Sequence, residues 1–369
     1  MTGTNQLNST LLSIIEAALD GDKEKAREFA SLYINQIENT SFRESIKNLL
    51  GEDTKLKPSE LKTKKSPSDT ESRLPLIDLQ LVKNKVPLYL SDNQFDSICE
   101  FIELLGHYQQ LKKEGIDINC SLVLSGPPGT GKSQTARYIA QKTGRPLGVV
   151  NIDALISSYL GSTAKNIEKV FNYAENSPMI LFLDEFDAIA KARDDSQEVG
   201  EIKRVVNTLL QNIDSLSPDV PVIAATNHSH LLDNAVWRRF SFRVDYQLPQ
   251  EGQRKKMIKE FSQDMKFDQL KKDVLAELTS GYSGSDIRTF LQSLKARMII
   301  NDQEVSLNFV VEEFKRFDSS TSGEASQSEK EYVRELRSRN SDFFSHGVLA
   351  KMFNRSKSTI NRYIRNKDA

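Results

Sequence analysis

The chain has 369 residues, of which 38% are hydrophobic and 27% charged, with 50 lysines and arginines against 51 aspartates and glutamates. That length supports two or three domains with one large core, and a net charge of -1 excludes a global bias toward nucleic acid or anionic membrane, so any such bias is local. Two cysteines without metal-ligand spacing, Cys99 and Cys120, exclude a disulfide framework or zinc site, and the absence of an apolar run of about 18 residues or a basic-apolar leader points to a cytoplasmic protein with no membrane partner.

Residues 6–50 carry helical periodicity. Leu11, Leu12, Ile14, Ile15 and Ala18 make one apolar stripe, and Phe29, Leu32, Tyr33 and Ile37 make another after the turn at 20–22. A third segment ends at Gly51, which predicts a small helical hairpin or three-helix unit over 1–51. Residues 52–73 are polar and hold two prolines, and residues 318–330 are rich in serine; both read as linkers. Between them, apolar runs at 121–126, 146–152, 179–185, 220–227 and 242–248 alternate with helical patterns. Near-continuous apolar strands are those buried on both faces, so this predicts an α/β core on a parallel sheet.

The stretch GPPGTGKS, comprising Gly126, Pro127, Pro128, Gly129, Thr130, Gly131, Lys132 and Ser133, follows the first of these strands and is continued by Gln134 into a helical run. It fits G-x-x-x-x-G-K-[ST] at every fixed position. Glycines let backbone N–H groups turn toward phosphates, the helix N-terminus adds a favourable partial charge, Lys132 reaches the β- and γ-phosphates of ATP, and Ser133 offers a hydroxyl to Mg2+. The run ILFLDEFD at 180–187 is a strand ending in acids. It places Asp184 near the magnesium and Glu185 where it can polarise a water. For Asp187 a part in that chemistry and a helix N-terminal charge role are both open.

With these motifs in order, the chain resembles an AAA ATPase over about 74–317, of the AAA+ class that includes the katanin, spastin and proteasomal-type enzymes. The resemblance implies a P-loop AAA+ α/β core with helices on both faces of a parallel sheet over 74–249, and a small helical lid over 250–317. It places Asn227, ending AATN, at the family's sensor-1 position beside the γ-phosphate. Arg238 and Arg239, in LLDNAVWRRF, fall where arginine fingers reach a neighbouring subunit's nucleotide, which implies a homo-oligomeric ring, usually a hexamer. Gly284 and Ser285, in GYSGSDI, fall near the adenine, and residues 86–98 match the adenine-side segment loosely. Tyr159, Leu160 and Gly161 correspond to a first pore loop whose aromatic ring grips a protein substrate, and 194–214 resembles the second pore loop and the helix that follows it, with Arg204 placed to face the subunit boundary. The chain departs from the family in lacking the proline-glycine between its two arginines, and it shows neither a second cassette nor an H-E-x-x-H protease motif.

The C-terminal stretch HGVLAKMFNRSKSTINRYIRN, 346–366, reads as two short helices. Asn354 suits the left-handed turn between them, Ser356 suits the cap of the second, Ala350 is small where helices cross, and Ile360 and Tyr363 point back to the first. Residues 331–369 thus resemble a resolvase-type helix-turn-helix. Its second helix would offer Lys357, Ser358, Thr359, Asn361, Arg362 and Arg365 to DNA. The expected function is a Mg-ATP-hydrolysing ring that remodels or threads a protein substrate and is tethered to DNA by this tail. Two alternatives are an ATP-switched DNA-binding regulator and a chaperone-like ATPase serving a separate peptidase, the tail then docking on protein.

Overall fold

The computed structural model describes residues 67–69, 74–116, 118–155, 160–187, 208–218, 220–229, 234–301, 305–322 and 328–365. The chain divides into two compact units, 1–65 and 66–369. Everything described belongs to the second, and the helical unit expected over 1–51 lies outside the described residues.

Strands β1 (Ile77–Gln80), β2 (Ser121–Ser125), β3 (Leu147–Val150), β4 (Ile180–Leu183), β5 (Val222–Thr226) and β6 (Phe242–Asp245) form one sheet in the order β1-β3-β4-β5-β2-β6. All neighbours are parallel except β1 and β3, which pair antiparallel with Ile77 opposite Val150. The five strands predicted from apolar runs are present. The sixth, β1, was not predicted: it is a four-residue edge strand with only Ile77 fully buried, too short and too polar to give a periodicity signal.

Side chains alternate across the sheet and each face is covered. Leu122, Leu124, Ile180, Phe182, Ile223 and Ala225 pack with α1 (Asp92–Lys113) and α2 (Lys132–Thr143). Val123, Leu181, Leu183, Val222 and Ala224 pack on the other face against α3 (Ile152–Leu155), α4 (Leu160–Glu175), the helical residues 208–215 and α5 (Asn234–Trp237).

Both stretches expected as linkers include residues that belong to the fold. Within 52–73, residues 67–69 fold against the sheet domain: Leu76 N donates to Pro67 O at 2.8 Å, and Asp69, almost fully buried, accepts from Asn166 Nδ2 of α4 at 2.9 Å. A carboxylate buried with a hydrogen-bond partner gives no composition signal, so the stretch reads as polar linker in sequence. The second concerns the lid, which contains α6 (Glu251–Phe261), α7 (Gln269–Leu278), α8 (Gly284–Asn301) and α9 (Leu307–Ser322). Helix α9 runs through the start of the predicted 318–330 linker, and no separate tail domain follows. Helices α10 (Glu329–Arg339), α11 (His346–Met352) and α12 (Lys357–Arg365) place Tyr332, Val333, Leu336, Phe344, Leu349, Met352 and Ile360 in the same buried cluster as Val274, Leu278, Phe290, Val310 and Phe314 of the lid. Polar ties join the two parts as well: Asn340 Nδ2 donates to Glu277 Oε2 at 3.2 Å, and the Lys315 ammonium lies 5.2 Å from the Tyr332 ring.

Locally the tail ends in two short helices, α11 and α12, joined by a tight turn. Asn354 is left-handed at φ 51°, and Ser356 Oγ accepts from Thr359 N at 3.1 Å. No helix among the described residues is long and apolar enough to cross a membrane.

Because lid and tail share one core, Phe344→Ala is expected to cost about 3–5 kcal/mol and to lower the unfolding midpoint of the lid as a whole, read by thermal circular dichroism. A chain ended at Ser328 would leave the apolar side chains of α7 and α9 in water and is expected to lose cooperative lid unfolding. If it melts like the full chain, the shared core is not what stabilises the lid.

Candidate active site

The C-terminal ends of β2, β4 and β5, adjacent in the sheet, converge on one edge. This is where doubly wound sheets bind ligands. After β2 the phosphate loop turns into α2, whose N-cap is Gly131 in the left-handed region. Gly126 and Gly129 have φ of 136° and 73°. A Cβ on Gly126 would run into the Tyr246 carbonyl oxygen, and one on Gly129 would strike Ser283 Oγ and lie 2.9 Å from Ser285 Cβ. These two glycines are therefore required by close approach as well as by conformation. Ser285 N–H donates to Gly129 O at 3.1 Å, so the start of α8 is tied directly to the loop.

Lys132 Nζ donates to the carbonyls of Gly126 at 2.6 Å and Pro127 at 2.8 Å. Burial pushes its ammonium down to about 8, against the opposing pull of Asp184 and Asp187. Added phosphate charge favours the protonated form. Ser133 Oγ donates to Asp184 Oδ2 at 2.8 Å, and Asp184 Oδ1 accepts from Glu185 N at 3.0 Å. Glu185 is exposed and left-handed, with φ 52°, an unfavourable backbone for a non-glycine residue, costing about 1–3 kcal/mol. This conformation turns the chain out of β4 and leaves Glu185 on the cavity wall.

Asp187 takes a role that neither sequence reading supplied. It is buried, and its Oδ1 accepts from Thr226 Oγ1 at 3.1 Å and from Asn227 N at 3.2 Å. It ties the end of β4 to the end of β5 and positions Asn227.

A cavity of about 360 Å³ joins these groups. It is lined by Pro128 to Gln134, Asp184, Glu185, Asn227, Gly284 and Ser285, with Gly126 and Pro127 bonded to Lys132 behind it. Its far wall is more apolar: Pro87, Leu88, Tyr89, Leu90, Met257 and Phe261. Tyr89 meets the Phe261 ring edge-on at 5.6 Å, and the Arg288 guanidinium lies 4.6 Å from the Phe261 centroid. Met257, Phe261 and Arg288 were not predicted. The two apolar residues are spaced i,i+4 on α6, which reads as core, and Arg288 follows Ser285 by three on α8, one face of the helix.

The donor set fits nucleotide and magnesium. The loop's three left-handed glycines make a concave cradle of backbone N–H groups, suited to an anion. Ser133 and Asp184 are two hard oxygen donors, and Mg2+ needs few protein ligands when phosphates and waters supply the rest. No group of three or more His, Cys, Asp or Glu that could hold a metal occurs among the described residues.

Arg238 and Arg239 do not line this cavity. Arg238 is exposed, and Arg239 Nε is paired with Asp214 Oδ2 at 2.9 Å. Leu160 and Gly161 open α4, while Tyr159 and Arg204 lie outside the described residues. On α12, Lys357, Ser358, Arg362 and Arg365 are exposed, whereas Thr359 and Asn361 are half-buried.

Gly129→Ala is expected to weaken binding of a fluorescent ATP analogue about tenfold or more, because a clash of about 1–3 kcal/mol falls on the loop and its bridge to Ser285. Asp187→Ala is expected to lower kcat with little change in KM, because it releases Asn227 while leaving the phosphate cradle intact. Unchanged steady-state kcat would remove that role.

A sequence model described as "ATPase family associated with various cellular activities (AAA)" matches residues 122–248. An uncharacterized AAA family ATPase of Sinorhizobium fredii is 40% identical over 225 residues, covering 60% of this chain and 67% of the relative. A proteasome-activating nucleotidase of Sulfurisphaera tokodaii is 36% identical over 206 residues, 53% of each chain. ATP-dependent zinc metalloprotease FtsH 3 of Sphaerobacter thermophilus is 35% identical over 202 residues, 53% of this chain and 41% of the relative. The match thus spans about half or less of the last two relatives. With the S. fredii relative matched over 67% of its length and the family pattern running from β2 past β6, this chain belongs to the AAA family of ATPases.

Proposed function

We propose that ATP hydrolysis by this chain drives the remodelling or threading of a protein substrate through a homo-oligomeric ring, hexameric by the family resemblance, acting in the cytoplasm and tethered to DNA by α12. The observation that carries this reading is the composition of the cavity. One chain gathers phosphate loop, Ser133, Asp184, Glu185 and Asn227 around one space, yet Arg238 and Arg239 lie outside it. Arg239 O accepts from Ser121 Oγ at the opposite end of β2, a strand about 13 Å long. Arginines so placed are suited to a neighbouring subunit's nucleotide. Relatives named for activating a proteasome and for ATP-dependent proteolysis support a polypeptide as the object of the work.

In this mechanism the loop N–H groups and Lys132 hold the β- and γ-phosphates. Ser133 and Asp184 would hold Mg2+, which neutralises charge on the phosphate oxygens. Glu185 accepts a proton from water as its oxygen bonds to the γ-phosphorus and the bridging P–O bond breaks, releasing ADP and phosphate. Asn227, positioned by Asp187, orients that water.

Support for a DNA tether is the exposed cationic face of α12, with Lys357, Arg362 and Arg365. Arg355 is not part of it, being held by both carboxylate oxygens of Glu329 at 2.9 and 3.1 Å.

Glu185→Gln is expected to bind ATP, abolish turnover and accumulate the assembled ring by sedimentation; surviving turnover would reassign the base. Tyr159→Ala is expected to keep ATPase activity and lose unfolding of a tagged test protein, and intact unfolding would remove threading. Replacing Lys357, Arg362 and Arg365 by glutamine in the full chain is expected to weaken duplex binding and to reduce the salt slope by about one for each phosphate no longer neutralised. An unchanged slope would make α12 a protein-docking element.

A further inference from the structure

Sequence alone treats Arg238 and Arg239 as an equivalent pair, and the structure separates them. Both follow α5 on a turn that is held in place from below. The Trp237 ring lies 5.4 Å from the Arg243 guanidinium, and Arg243 Nη2 donates to Trp237 O at 2.5 Å. Ser121 Oγ donates to Arg239 O at 2.9 Å and accepts from Ser241 N at 3.1 Å, which pins the turn to the first residue of β2. Arg238 leaves this turn into solvent. Arg239 does not: its Nε is held at 2.9 Å by Oδ2 of Asp214, in the helical residues 208–215.

We propose that Asp214 is a positioning residue for ATP hydrolysis: by gripping Arg239 at Nε, the root of the guanidinium, it sets the direction in which that group approaches a neighbouring subunit's nucleotide. The proposal rests on the reading that these arginines act in trans. A guanidinium is a planar fork that recognises phosphate only when its plane is correctly turned, and a catalytic group displaced by about 1 Å loses about a hundredfold in rate. The side chain of Asp214 is 49% exposed and that of Arg239 25% exposed. A pair this open to water is a weak contributor to fold stability, which leaves orientation as its consequence. Neighbouring side chains fix the two ends of the pair: Ile213, beside Asp214, is buried in the core under β5, and Phe240, beside Arg239, meets the Phe186 ring at 6.1 Å on the loop that carries Glu185. The pair thus joins two elements that are each anchored to the sheet.

The test is a double-mutant cycle on full-length, assembled enzyme. Asp214→Asn, Arg239→Ala and the double variant are compared by kcat and KM, with assembly followed by sedimentation. Asp214→Asn is expected to lower kcat on the order of tenfold to a hundredfold with KM and assembly unchanged. The double variant is expected to match Arg239→Ala alone, and Asp214→Glu is expected to recover part of the loss. Unchanged kcat in Asp214→Asn, additive losses in the double variant, or loss of assembly would each overturn the positioning role. If instead neither Arg238→Ala nor Arg239→Ala lowers kcat, the trans reading itself fails, an outcome that Asp214→Asn alone does not produce.

Discussion

The chemistry of this chain depends on β2, β4 and β5 lying side by side, parallel and buried on both faces. A parallel ladder needs a covering crossover between successive strands, so its strands are apolar on both sides and all point the same way. Alternate residues of β2, Leu122 and Leu124 against Val123, enter opposite cores. The shared direction brings three strand ends to one edge, where the phosphate loop, the Asp184-Glu185 turn and Asn227 emerge from different parts of the sequence. Buried hydrogen bonds then finish the alignment. Thr135 Oγ1 and Tyr246 OH lie 2.6 Å apart beneath the loop, and Ser125 Oγ donates to Asp245 across β2 and β6.

The second constraint is the single core formed by the lid and C-terminal helices. The lid reaches the nucleotide cavity with Met257, Phe261, Gly284, Ser285 and Arg288, and the same helical body presents the cationic face of α12. The N-terminus of α8 cannot move away from the phosphate loop without breaking the Ser285–Gly129 bond. Tail and lid share one close-packed core, and close-packed interiors transmit displacement rather than absorb it. Among the described residues, the cationic face of α12 and the Ser285 edge of the cavity belong to one packed helical body.

Buried polar groups at the site are placed where orientation is needed. Asp187 is satisfied by Thr226 and Asn227 and carries no chemistry of its own in the mechanism. Glu185 lines the cavity in an unfavourable backbone region, strain that the flanking β4 strand and the Phe186 N–H to Ala225 O bond, at 2.8 Å, hold in place.

Much of the site was legible in the residues themselves. G-x-x-x-x-G-K-[ST] specifies a local backbone, and a local backbone is determined by neighbours along the chain; the same holds for apolar strands ending in Asp184-Glu185 and for the turn at Asn354. What sequence left undecided depends on residues far apart in the chain. The edge strand β1 is defined by pairing with β3, the buried Asp69 by Asn166, and Asp187 by Asn227. The division between Arg238 and Arg239 is made by Asp214, which lies 25 residues before Arg239. The polar stretch at 318–330 reads as a linker because composition reports exposure in an isolated segment, whereas only packing shows that Phe314 and Tyr332 on either side enter one core. Sequence thus determined the phosphate chemistry, whose groups are set by short-range spacing. Tertiary structure decided how that site is joined to the C-terminal helices and that Arg239, unlike Arg238, is held by Asp214, because both are contacts between surfaces that no local periodicity encodes.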